Sequence, residues 1–220
     1  MEKHNAPLAV IAVLMMSCAL CPGQSGRVES IGPLTDSAVS EQVRHSLDAT
    51  GYRLTLDNST PCCELWLRNS VRAQANKSTE FVYPQFAEST LLGVIHFPHA
   101  AADFRGHPIP VGFYTFRYEL LPDDGNHLGV APNRDFVLLI PAQSDTDPDA
   151  TFKYQELVSM SAKTAGTKHP APLSLPPADK PSPGAVSKDD HDHWVFSGSL
   201  KLTSGEALSI ALIVKGTAEQ

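Results

Sequence analysis

Between Tyr114 and Leu120 the chain alternates without a break. Tyr114, Phe116, Tyr118 and Leu120 fall on one side, and Thr115, Arg117 and Glu119 on the other. Residues two apart share a face only in extended backbone, so a helix cannot use this pattern and a strand can. The expectation is a half-buried strand whose aromatic face meets the core while Arg117 and Glu119 stay outside.

Weaker copies of the same signal recur. Tyr52, Leu54 and Leu56 alternate with Arg53, Thr55 and Asp57, and Leu65 and Leu67 alternate with Glu64, Trp66 and Arg68. The turn-forming stretch Asp57 to Pro61 lies between the two runs, which predicts a hairpin. Thr90 to Phe97 reads as a further apolar strand, and Phe136 to Ile140 as a short run covered on both faces. His193 to Leu202 and Ala207 to Val214 read as the last pair, joined through Thr203-Ser204-Gly205.

Two helices interrupt the strands. Asp36 can cap about three turns in which Val39, Val43 and Leu47 recur every four residues, with Gly51 just past the end. A second helix is expected from near Phe152 to Ala165, where Tyr154, Leu157, Val158, Ser161, Ala162 and Ala165 form a stripe and Gly166 ends it. Six prolines between Pro170 and Pro183 predict a surface loop over residues 168–188. Read as a domain linker, that segment would leave about 37 residues to fold alone, and domains that short usually need disulfides or a metal. The pattern therefore predicts a mainly β fold, an antiparallel sandwich-like single domain over 26–220 with two short helices inserted.

Residues 1–25 are set apart from that domain. An apolar run from Leu8 to Met16 follows a short segment with one lysine and ends near Pro22-Gly23, the build of a signal peptide. The run is shorter than a membrane span needs. Cleavage is expected after Ala19 or as late as Ser25, and Ser17 before Cys18 leaves a lipid anchor on Cys18 open. The expectation is an exported chain, periplasmic, envelope-associated or extracellular. Its formal charge of -7, without a basic run, argues against nucleic acid and against an anionic membrane surface as partner.

Cys62 and Cys63 are adjacent on a strand. Their side chains should point to opposite faces, one buried and one at the surface, and their Cα separation of ~3.8 Å lies below the usual disulfide range. A vicinal redox switch is the alternative.

Two patterns could hold a metal. Asp145, Asp147 and Asp149, with Thr151 and with Glu156 eleven residues after Asp145, match positions 1, 3, 5, 7 and 12 of a calcium loop. Ala150 stands where that loop has glycine, and a strand precedes it. The same acids would otherwise favour the start of the second helix. His96, His99, His191 and His193 form the other pattern, with His107 and His127 nearby in sequence. His191 and His193 share a strand face and could meet one transition metal with His96 or His99. Nucleophile elbows, glycine-rich phosphate loops and haem motifs are absent from the sequence. Asn58-Ser59-Thr60 and Asn76-Lys77-Ser78 match the glycosylation sequon.

Gly51 to Leu56, Glu64-Leu65-Trp66-Leu67-Arg68, Gly112 to Tyr118, Asp124 to Gly129 and Arg134-Asp135-Phe136 resemble segments of a group of secreted bacterial proteins of unassigned activity. The resemblance implies export and a single domain, and supplies no catalytic residue. The functional expectation is a binding module without enzymatic activity, taking an envelope partner or a small ligand between its sheets. The alternative is a metal-dependent enzyme with a histidine-lined site.

Overall fold

The computed structural model describes residues 26–56, 60–75, 78–122, 133–178 and 184–218. In chain order its elements are β1 (Arg27–Ile31), α1 (Glu41–His45), β2 (Gly51–Thr55), β3 (Pro61–Leu67), β4 (Leu91–Phe97), β5 (Ala101–Ala102), β6 (Pro108–Ile109), β7 (Gly112–Leu120), β8 (Asp135–Pro141), α2 (Tyr154–Ala165), β9 (Pro172–Ser174), β10 (Ala185–Lys188), β11 (Trp194–Lys201) and β12 (Ala207–Lys215). Seven strands form one sheet in the order β1-β2-β3-β4-β7-β8-β9, three form a second in the order β10-β11-β12, and β5 and β6 make a small hairpin. Every pairing between these strands is antiparallel. The fold is therefore mainly β and sandwich-like, as the alternation predicts.

The main core lies between the sheets. Leu54, Leu65, Ile95, Phe116, Tyr118 and Leu139 of the large sheet meet Trp194, Phe196, Leu212 and Val214 of the small one. Burial of these side chains removes apolar surface from water at roughly 25 cal/mol per Å², the main force holding the layers together. The opposite face of the large sheet is covered too. Val39, Val43 and Leu47 from the α1 region pack on Trp66, Leu91 and Val94, while Leu157 of α2 packs on Phe136, Leu138 and Ile140 of β8. The molecule thus has three layers: small sheet, large sheet and helices.

That third layer corrects one expectation. Arg117 and Glu119 do lie on the face opposite Phe116 and Tyr118, but they are buried, at 0% and 1% exposure. The period of two holds; the polar side is roofed by α2 and by the segment leading into it.

The first helix is shorter than the sequence pattern predicts, at 5 residues about a turn and a half in place of about three turns, while the second runs close to its expected bounds. Ser40, not Asp36, caps α1, its hydroxyl accepting from the Val43 amide at 3.3 Å. Asp36 instead closes a turn, its carboxylate accepting from the Ala38 amide at 2.8 Å. The helix beginning at Tyr154 ends, as expected, where Gly166 turns left-handed at φ 62°, a conformation open to glycine at no steric cost. It is tied to the large sheet by polar contacts: Thr164 donates to the Leu139 carbonyl at 2.9 Å, and the Ser161 hydroxyl accepts from the Ala171 amide at 3.0 Å.

The proline-rich segment is not wholly a surface loop. Within it Pro172–Ser174 adds β9 to the sheet edge, with Leu173 and Leu175 buried, and Ala185–Lys188 adds β10 to the small sheet. Proline is tolerated at an edge because its missing N–H can face away from the ladder. β1 also forms in a stretch the sequence pattern leaves unassigned, as an edge strand whose Val28 and Ile31 pack against the cores while Arg27, Glu29 and Ser30 are exposed. No helix among the described residues is long and apolar enough to cross a membrane.

Candidate functional site

The acidic stretch after β8 is organised around Arg117. Asp145 is buried, and its carboxylate accepts from Arg117 Nε at 2.7 Å, Arg117 Nη2 at 2.8 Å and the Thr115 hydroxyl at 2.6 Å. The same guanidinium donates to the carbonyls of Asp147, Ala150 and Ser89 at 2.8, 2.8 and 2.7 Å. An internal cation therefore holds the Asp145 carboxylate, the first residue of the calcium pattern. Asp147 accepts from the Asp149 amide at 2.9 Å, Asp149 pairs with Arg68 at 3.1 Å, and Thr151 and Glu156 are exposed. Of the five residues of the calcium pattern, Asp145 and Asp149 thus pair with two different arginines.

The histidines are likewise distributed. His96 Nδ1 pairs with Glu64 at 3.1 Å and its ring stacks on Phe113 at 4.1 Å. Burial would raise the Glu64 carboxyl, but hydrogen bonds from Arg53 and His96 outweigh it and hold the group below the usual carboxylate range. His193 Nδ1 lies 3.0 Å from Asp189, and Nε2 lies 3.0 Å from the Thr217 carbonyl. His107 repeats the first half of this arrangement with Asp103 at 3.2 Å. His191 and His193 do approach, their rings 5.9 Å apart, while His99 lies beyond the end of β4. Among the described residues no three His, Cys, Asp or Glu side chains are grouped to hold a metal. His127 lies outside the described residues, as do Asn58, Asn76, Cys18 and the leader.

Asp103–His107 and Asp189–His193 are two copies of one turn. In each, the aspartate accepts from the amides two and four residues on, at 2.8–2.9 Å, and pairs with the histidine ring. The fourth residue has positive φ in both, Gly106 at 82° and Asp192 at 65°. Both turns hold the chain after β12: the Phe104 carbonyl accepts from the Ala218 amide at 2.8 Å, and His193 reaches Thr217. Burial opposes ionisation of Asp189, yet the hydrogen bonds from His193 and His191 pull its carboxyl below the ordinary value.

Beside this clamp is a cavity of about 670 Å³. Its walls come from the end of β2, the start of β3, the segment from β4 into β5, and the end of β12. Leu56, Pro61, Ala101 and Val214 give it an apolar lining, and Thr60, Cys62, His99 and Thr217 supply the polar groups. Sequence reasoning did not find it, because its residues lie in four segments and no spacing joins them. A smaller polar cavity of about 400 Å³ lies between Arg68, Arg72, Glu88 and Asp149.

Cys62 and Cys63 do not split between faces in the simple way a regular strand predicts. Leu54 of β2 pairs with Cys63, but Thr55 pairs with Pro61, so Cys62 is the extra residue of a β-bulge. Cys63 is fully buried, and Cys62, partly exposed, packs against the same core. No family model, no curated protein and no solved structure matches the chain.

Proposed function

We propose that the chain is an exported domain that acts by binding, and that its ligand is a small, largely apolar molecule held in the cavity at the end of the sandwich. The observation that carries this reading is the cavity itself. A volume of about 670 Å³ lies in the range of small-molecule sites, and an apolar wall with a few separate polar groups is how such sites combine affinity with orientation. The signal-peptide build of residues 1–25 supports export. A metal-dependent enzyme would need three ligands around an open position, whereas His96, His107 and His193 each face a carboxylate of their own.

The test uses a fluorescent naphthylamine as a generic apolar probe. Ala102 lines the cavity and is exposed, so Ala102→Trp narrows it with little effect on the core. The parent takes up the probe saturably at one site, and Ala102→Trp weakens binding about tenfold, or ~1.4 kcal/mol, with unchanged melting. Equal uptake by both proteins would overturn the proposal.

A further inference from the structure

We propose that the polar cavity of about 400 Å³ is a second binding site, and that it takes a compact aliphatic zwitterion of the amino-acid class, with the carboxylate on Arg68 and Arg72 and the ammonium at Glu88. It shares no lining residue with the cavity beside the end of β12, so the two sites stand or fall separately.

The decisive group is the Arg68 guanidinium. Its side chain is 14% exposed, Nη1 donates to the Pro148 carbonyl at 2.7 Å and Nη2 donates to Asp149 at 3.1 Å, but the Nε N–H is buried without an acceptor. Arg117 shows what such a fork takes when it is full: its Nε and Nη2 donate to the two oxygens of Asp145. On Arg68 the same edge holds one oxygen of Asp149, an 83% exposed side chain, and its other half is open. A buried donor left without a partner is unfavourable, and a carboxylate is the planar group whose two oxygens match Nε and Nη2. Asp149, being exposed, can swing outward as a ligand's carboxylate takes its place. Arg72 lines the same cavity, is exposed, and makes no hydrogen bond or ion pair among the described residues.

The charges of the wall determine what else the ligand carries. Arg68 and Arg72 are matched by Glu88 and Asp149, two of each sign. A plain anion would meet the Glu88 carboxylate and a plain cation the two guanidiniums, whereas a molecule bearing both signs avoids either repulsion. Glu88 is also hydrogen-bonded to Glu119, which keeps its own proton at neutral pH and so leaves the Glu88 carboxylate charged. Val71, Leu91 and Pro148 supply apolar wall for an aliphatic side chain. The wall is preformed at Ser89, whose φ of 70° is a conformation that a non-glycine residue keeps only where its surroundings fix it. There the Ser89 amide donates to the Tyr118 carbonyl at 2.8 Å, its carbonyl accepts from Arg117 at 2.7 Å and its hydroxyl accepts from the Phe152 amide at 2.9 Å.

Isothermal titration calorimetry with three probes on one carbon frame tests this: L-leucine, 4-methylpentanoate, which lacks the ammonium, and 3-methylbutylamine, which lacks the carboxylate. Leucine should bind at one equivalent, and each of the others about tenfold more weakly or worse, since each gives up a charge-assisted hydrogen bond. Arg72→Gln, at an exposed and unpaired side chain, should weaken leucine about tenfold with unchanged melting. Glu88→Gln should lower leucine to the level of 4-methylpentanoate and leave 4-methylpentanoate no weaker than before. Asp149→Asn, which removes the competing carboxylate from the Arg68 fork, should tighten leucine. No heat with leucine, equal binding of leucine and 4-methylpentanoate, weaker binding by Asp149→Asn, or leucine binding indifferent to Arg72→Gln would each overturn the proposal. Uptake of the naphthylamine probe, unchanged in all three variants, would show that such a failure belongs to this site alone.

Discussion

Glu119 holds a proton through neutral pH. Burial raises its carboxyl first and the hydrogen bond with Glu88 raises it further, pushing it up to about 8. In the unfolded chain the same group ionises near 4.3. Below that value both states are protonated and the residue costs nothing. As pH rises toward 8 the unfolded state gives up its proton while the folded state retains it, so stability declines, and above about 8 the decline levels off. Glu119→Gln removes this dependence: it should melt higher than the parent at pH 8, with the difference shrinking to nothing near pH 4. Denaturation measured across that range checks it, and a pH-independent difference would contradict it. The alternation around Phe116 assigns each side chain of this strand to a face correctly. It says nothing of what lies over the second face, and so the burial of Glu119 and Arg117 is not legible from the local pattern.

At the scale of elements, the segment between β8 and α2 has its shape because Arg117 of β7 reaches across to it. Both partners of the Arg117–Asp145 pair are inaccessible to solvent. Removing one leaves an uncompensated buried charge, which typically costs about 3–5 kcal/mol. Arg117→Met should lose about that much, and amide exchange should quicken between Asp147 and Ala150, whose carbonyls the guanidinium holds. Adding Asp145→Asn should restore part of the stability but not the slow exchange. Unchanged exchange in Arg117→Met would mean the loop holds itself. The acidic run is visible in the sequence as a cation-binding pattern; the cation it meets lies 28 residues away along the chain, a distance no motif spans. The same limit applies to β9, where proline content predicts a loop and a sheet edge accepts a strand, and to Cys62, where a bulge set by strand register defeats a period-two argument. The hairpin from β2 to β3, the doubly covered β8 and the Gly166 stop are legible because each depends on residues close in sequence.

For the whole molecule, two sheets and a helical layer leave a cavity beside the chain after β12, which is held by two aspartate–histidine turns. The fold class follows from strand patterning, whereas the cavity follows from how four strand ends converge, and only the first of these is written in local order. The ligand site proposed above is this cavity. Methyl spectra of leucine- and valine-labelled protein, recorded as the naphthylamine probe is added, test it most directly. Leu56 and Val214 line the cavity, while Val39 and Leu157 lie beneath the helices on the other face of the large sheet. Leu56 and Val214 should shift together and saturate at one equivalent while Val39 and Leu157 stay in place. Shifts at Val39 and Leu157 equal to those at Leu56 and Val214, or none at Leu56 and Val214, would contradict it.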